Sequence, residues 1–201
     1  MGRHVWQRIA PALVLAALLW TPVNAGSLEE ATDFAAQRAE RLLDIMNRPP
    51  GSERRDSFAR WIASTVDHDG MANRALGRYL EVATDAELRA YTDAFHNYII
   101  VTYERRLATF SGYKLKVERS RALNESDIVV RTTIGSPDGA RTIVDFRVSN
   151  DNGGQWRLTD FAIEGLSMVK TLRDEFAGVI RRDGIDGLTA LIESNVSESA
   201  L

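Results

Sequence analysis

No cysteine occurs anywhere in the 201 residues. Disulfides are thereby excluded, as is lipid attachment at a cysteine, and stability has to come from packing because no bridge constrains the unfolded chain. Histidine is nearly as scarce. Of the three, only His68 and His96 lie beyond the first few residues, so a histidine-based mechanism has to use one of them. Internal repeats and low-complexity tracts are missing, and there is no glycine-rich loop of the kind that cradles phosphates. Gly184 and Gly187 flank Ile185-Asp186 and read as a helix break and restart.

One long apolar run is present, and it lies at the start. Arg3, His4 and Arg8 precede the stretch from Ile9 to Trp20, and Val23-Asn24-Ala25 forms an A-x-A-like cleavage site. Residues 1–25 are therefore expected to be a cleaved signal peptide, since a bilayer span needs about 20 apolar residues. Removing Arg3 and Arg8 leaves 23 basic against 28 acidic residues, a formal charge of minus five. A mildly acidic chain lacks the basic footprint of nucleic-acid binders. Residues 26–201 suit a single exported domain with a sizeable core.

The remaining pattern is helical, then alternating, then helical. Leu28 to Asn47 reads as an amphipathic helix carrying Phe34, Leu42, Leu43, Ile45 and Met46 and stopped by Pro49-Pro50-Gly51. A short helix with Phe58, Trp61 and Ile62 follows, then another from Met71 to Leu80. Thr84 and Glu87 form a T-x-x-E capping box that announces a long helix to about Phe110. Its face of Leu88, Tyr91, Phe95, Tyr98, Ile99, Thr102 and Tyr103 is rich in aromatics.

After Gly112 the period becomes two. Leu115 and Val117 share one face of a strand, and Ile128, Val130, Thr132 and Ile134 one face of the next. Turn clusters at Ser136 to Gly139 and at Asn150 to Gly154 make strands two to four a hairpin series. Ile143 and Val144 are adjacent, so they point to opposite faces of the third strand, and the pattern leaves open which faces inward. Trp156, Leu158, Phe161 and Ile163 form the fourth strand, and Gly165 permits a sharp turn. Met168, Leu172, Phe176, Val179 and Ile180 then recur at helical spacing. This order describes an α+β domain: N-terminal helices, a four-stranded antiparallel sheet and C-terminal helices that cover one sheet face.

Candidates for chemistry give way to structural readings. In Asp67-His68-Asp69-Gly70 a calcium loop fails, because its fifth and twelfth positions are Met71 and Arg78. The run reads instead as a helix start in which Asp69 or its neighbour caps amides. His96 has Asp93 three residues earlier, an ordinary helical pair. Ser167 lies in Gly165-Leu166-Ser167-Met168-Val169, which lacks the closing glycine of a nucleophile elbow and reads as an N-cap. No catalytic residue, metal ligand or cofactor is expected. The apolar residues of helix and sheet are enough to build a core, and the same residues suit the lining of a cavity.

Trp156, Asp160, Glu164-Gly165-Leu166-Ser167-Met168, Arg173, Phe176 and above all Gly184-Ile185-Asp186-Gly187-Leu188 resemble the signature end of the MlaC family, also called toluene-tolerance or Ttg2-type proteins. Val66-Asp67, Met71-Ala72, Leu76-Gly77-Arg78-Tyr79 and Tyr113 fall in a similar order, so the resemblance spans the mature chain. It implies a soluble, monomeric periplasmic phospholipid carrier of a Gram-negative envelope. Such a carrier shuttles lipid between an outer-membrane lipoprotein complex and the substrate-binding ring protein of an inner-membrane ABC transporter, and so maintains outer-membrane lipid asymmetry. It also implies a twisted sheet packed against helices, with acyl chains in an apolar cavity between them and no enzymatic step. The lipid-binding candidates are Tyr91, Phe95, Tyr98, Ile99, Leu115, Val117, Ile128, Val130, Ile143, Val144, Phe146, Leu158, Leu166 and Phe176. Arg74 or Arg147 is a candidate to meet phosphate or a partner carboxylate.

Hopanoid-locus relatives share the pattern, which makes hopanoid an alternative ligand. Helices followed by a curved sheet are also similar in general shape to the cone-like NTF2-type enzymes, for which His96 with a carboxylate is the one available start. A structural or chaperone-like envelope protein with a filled core is the third class.

Overall fold

The computed structural model describes residues 25–150 and 154–199. All but the last residue of the expected signal peptide, and the middle of the turn after Asn150, lie outside the described residues. Helices α1 (Ala25–Met46), α2 (Ser52–Thr65) and α3 (His68–Leu76) come first, and a 3₁₀ turn (Gly77–Glu81) leads to α4 (Asp85–Leu107). Strands β1 (Lys114–Ala122), β2 (Asp127–Gly135), β3 (Arg141–Asn150), β4 (Trp156–Ile163) and β5 (Leu166–Ser167) follow, and α5 (Met168–Ser199) ends the chain. The sheet is a pure antiparallel meander in the order β1-β2-β3-β4-β5. It thus has a fifth strand of two residues beyond the four expected from the sequence.

Local chemistry explains the boundaries. Thr84 accepts from the Glu87 amide at 3.2 Å while the Glu87 carboxylate accepts from the Thr84 amide at 2.9 Å, so the capping box closes in both directions. Asp67, not Asp69, caps α3: its Oδ1 accepts from the Gly70 amide at 3.0 Å. Ser167 caps α5 by accepting from the Lys170 amide at 3.1 Å. Between β4 and β5, Glu164 and Gly165 both have positive φ, 49° and 82°. That is the two-residue hairpin geometry whose twist matches the strands it joins, and Glu164 is held in it by hydrogen bonds both ways with the Ile143 backbone. In α5 the helix breaks at Gly184 (φ 73°, ψ −177°), a conformation that disfavours any residue with a Cβ.

The inner sheet face settles the strand registers. Ile128, Val130, Thr132 and Ile134 of β2 alternate inward as expected, with the Thr132 hydroxyl satisfied by the Val144 carbonyl at 2.9 Å. In β3 it is Val144, Phe146 and Val148 that are buried, and Ile143 points outward. A bulge between Val117 and Arg119 shifts the parity of β1. Leu115 and Val117 face inward before it, Ser120 and Ala122 after it.

α1 lies across this face through Ala31, Ala35 and Ala39, a stripe of small buried side chains at spacing four that lets helix and sheet approach closely. The Val66 bridge to Leu158 and the Asp67 amide on the Leu158 carbonyl (2.9 Å) stitch the α2–α3 link to β4. α4 packs on α5 through an interlocking trio: the Tyr91, Phe95 and Phe176 rings sit 5.8–6.4 Å apart, both contacts with Phe176 edge-to-face.

Candidate lipid cavity

Helices and sheet do not meet flush. Between them lies an apolar cavity of about 70 Å³. Ala39, Leu42, Leu43 and Met46 of α1 and Phe58, Trp61 and Ile62 of α2 form one wall. Leu115, Ile134, Val144, Phe146, Leu158, Phe161 and Ile163 of the sheet form the facing wall. Met71, Ile99, Tyr103, Leu107 and Met168 close the sides. The polar atoms on the lining aromatics are already engaged: the Trp61 indole donates to the Arg38 carbonyl at 2.9 Å, and the Tyr103 hydroxyl contacts the Met168 sulfur. Burial raises the Tyr103 hydroxyl above the ordinary phenol range and so keeps it neutral. Such a cavity offers shape and apolar area, with nothing to orient a polar substrate.

Of the fourteen lipid-binding candidates, Ile99, Leu115, Val144, Phe146 and Leu158 line this space. Tyr91, Phe95 and Phe176 are buried in the α4–α5 interface, and the Tyr91 hydroxyl donates to the Ala72 carbonyl of α3 at 3.1 Å. Tyr98, Ile128 and Val130 are buried in the core away from the lining, and Val117 is half-buried on the inner face of β1. Ile143 and Leu166 are 38% and 74% exposed and do not line the cavity: the pleat that turns Val144 inward turns Ile143 out, and Leu166 stands on the two-residue strand at the sheet's edge. The wall supplied by α1 and α2 holds none of the fourteen candidates. Phe58, Trp61 and Ile62 share one helix face at spacings of three and four, a signal the sequence did contain.

A second, larger concavity of about 990 Å³ is polar and open. Arg74 and Arg147 both border it, and both are tied to carboxylates: Arg74 to Asp67 at 3.2 Å, Arg147 to Asp127 at 3.1 Å. Arg173 donates to the Arg74 carbonyl at 2.7 Å and Lys170 pairs with Asp174 at 2.6 Å. Its positive charge is thus largely matched internally. Ser167 also borders it, with its hydroxyl on Asp160 at 2.5 Å, which fixes the corner between β5 and α5. His96 does not use Asp93 as its close partner; its ring meets His68 and Asp69 across α3 and α4.

Comparison with known proteins places this architecture. The toluene tolerance protein ttg2D of Pseudomonas putida is 24% identical over 132 residues, 65% of this chain and 61% of its own length. The intermembrane phospholipid transport system binding protein MlaC of Haemophilus influenzae is 22% identical over 137 residues, 66% of this chain and 64% of its own. The chain thus spans somewhat less than two thirds of the curated relatives it matches. The solved structure of the phospholipid-binding protein from Ralstonia solanacearum, in complex with a phospholipid, has the same fold, with a TM-score of 0.73 at 24% identity over 85% of this chain and 99% of that one. The family model for MlaC protein matches residues 36–194, so the chain belongs to the MlaC family.

Proposed function

We propose that this protein is a periplasmic phospholipid carrier: residues 1–25 export it and are removed, and residues 26–201 act as one lipid-binding domain. The observation that carries the reading is the apolar cavity between helices and sheet, in a chain whose relatives are named for phospholipid transport and whose fold matches a phospholipid-bound protein. Among the described residues no helix is long and apolar enough to cross a membrane, as suits a shuttle.

The energetics explain why a carrier is required. At roughly 0.8 kcal/mol per buried CH₂, two acyl chains with on the order of 30 methylenes cost about 20 kcal/mol or more to expose to water. A cavity that recovers most of this makes transfer from membrane to protein nearly neutral, so direction comes from the partners at either end. Those partners are an outer-membrane lipoprotein complex and the substrate-binding ring protein of an inner-membrane ABC transporter, and the cargo traffic maintains outer-membrane lipid asymmetry. The carrier performs no bond chemistry in this scheme.

Mass spectrometry of organic extracts from the protein purified from the periplasm is the test. Phospholipid of several headgroups in stoichiometric amount is expected, on a chain whose N-terminus is Gly26. A lipid-free protein that also fails to take up labelled phospholipid would overturn the proposal, and an extract dominated by hopanoid would replace the cargo.

A further inference from the structure

The contact between His68 and His96 joins residues 28 positions apart in sequence. His68 Nδ1 and His96 Nε2 are 2.8 Å apart, Asp69 Oδ1 is 2.9 Å from His96 Nε2, and Oδ1 is 3.2 Å from His68 Nδ1. Two imidazole nitrogens and one carboxylate oxygen thus converge on a single point. We propose that His68, Asp69 and His96 form a binding site for a divalent transition-metal ion of the zinc, nickel or copper class.

Geometry and donor chemistry both favour it. A circle through three atoms with those separations has a radius of about 1.7 Å, so an ion at the usual ~2.0–2.1 Å from imidazole and carboxylate donors touches all three from just above their plane. Imidazole with carboxylate selects the borderline first-row ions over calcium or magnesium, which prefer all-oxygen shells. Three protein ligands leave the remaining position of a tetrahedral ion for water, as in open zinc sites.

The site is held from behind as metal sites are. Asp67 is committed to the Gly70 amide and to Arg74, which fixes the first turn of α3 and aims His68 and Asp69 at α4. His96 comes from the middle of α4, a rigid helix of 23 residues. Both histidines are part-exposed and Asp69 more so, and His68 and Asp69 border the open polar concavity, which gives a hydrated ion access. An ion there bolts α3 to α4 and stabilises the folded chain by linkage.

The test uses the full chain purified without a histidine tag, stripped with chelator and titrated with Zn²⁺ in a calorimeter. One ion per chain is expected, with a dissociation constant in the micromolar range or tighter, and binding at least about ten-fold weaker in H68A, in H96A and in D69N. Co²⁺ is expected to give the visible bands of a four- or five-coordinate site in the wild type and none in H68A/H96A. Metal-free melting temperatures establish that the variants fold, and H96Q serves where H96A does not. Equal Zn²⁺ affinity in the wild type and H68A/H96A would overturn the proposal, as would no binding to either.

Discussion

The cavity is too small for the proposed cargo, and that sets the most informative experiment. Its volume of about 70 Å³ is below the ~150 Å³ of an apolar cavity that holds benzene and far below the ~300–1,000 Å³ of pockets for drug-sized ligands. Two acyl chains enter only if the helical wall of α1 and α2 moves off the sheet. α1 is pinned by side-chain hydrogen bonds at its two ends. The Thr32 and Ser120 hydroxyls meet at 2.6 Å between α1 and β1, and Asn47, just past the helix, accepts from Gly112 at 2.6 Å and from Ser111 at 3.0 Å. Between these ties lie the alanine stripe and the cavity wall, which separate without breaking a polar bond.

Replacing both hydroxyl residues with cysteine, T32C/S120C, makes the first tie permanent. The oxygens that the sulfurs replace lie 2.6 Å apart, about half an ångström beyond the ~2.05 Å of a disulfide. Because the chain has no other cysteine, the crosslink forms in one way only. It closes a loop of 88 residues, which in the chain-entropy model stabilises the protein by about 4–5 kcal/mol. The oxidised protein is expected to be more resistant to denaturant, to take up labelled phospholipid from vesicles at least about ten times more slowly, and to recover on reduction. Uptake by a fully crosslinked sample, verified by thiol titration and mass, at the rate of the reduced form would refute the idea that α1 is the wall that moves.

Three further outcomes follow from other contacts. Ala39→Val places about two extra methyl groups in the cavity and is expected to raise unfolding stability by roughly 1 kcal/mol while weakening lipid retention, two changes of opposite sense measured by urea titration and lipid exchange. Arg54 and Glu104 form a buried ion pair at 2.5 Å between α2 and α4; Glu104→Ala leaves the guanidinium uncompensated and is expected to cost about 3–5 kcal/mol, most of which R54M/E104L restores. At Asp127 burial opposes ionisation, but hydrogen bonds from Ser149, Arg147 and Asn124 outweigh it and hold the carboxyl down at about 2. A folded-state value below the unfolded one contributes stability that is complete above about pH 4 and lost as pH falls towards 2. Denaturation curves are therefore expected to show the wild type losing about 2 kcal/mol more than Asp127→Asn between pH 6 and pH 2.

Element types and ends were legible in the sequence wherever a local device set them. The Thr84–Glu87 box, the Ser167 cap and the Gly184 break act within four residues of themselves, so sequence spacing suffices to read them. The lining was legible only in part, for a reason of symmetry. A helix face carrying Tyr91, Phe95, Tyr98 and Ile99 has the same periodicity whether it meets a void or another helix, and here most of it meets Phe176 and its neighbours on α5. The parity change in β1 comes from the bulge at Glu118, which no turn residue announces. The meeting of His68 with His96 depends on how α3 crosses α4, a tertiary fact to which each residue's own neighbours are silent.

That redistribution of aromatics divides the molecule by mechanical role. α4 is interlocked with α5 through rings at edge-to-face distances and with α3 through a buried tyrosine hydrogen bond, and parting α4 from α3 would strand the Ala72–Tyr91 pairing in a dry interior, at a penalty of about 1–3 kcal/mol for an orphaned group. The α1 side presents alanine, leucine and methionine to the sheet, contacts without direction that re-form against an acyl chain as readily as against Leu115 or Phe146. A carrier has to exchange protein–protein apolar contact for protein–lipid apolar contact at nearly constant free energy, and only a wall of this second kind allows it. The interlocked aromatics behind Ile99 and Tyr103 therefore make α4 the fixed side, and the plainer face of α1, with its three alanines, is the side expected to yield.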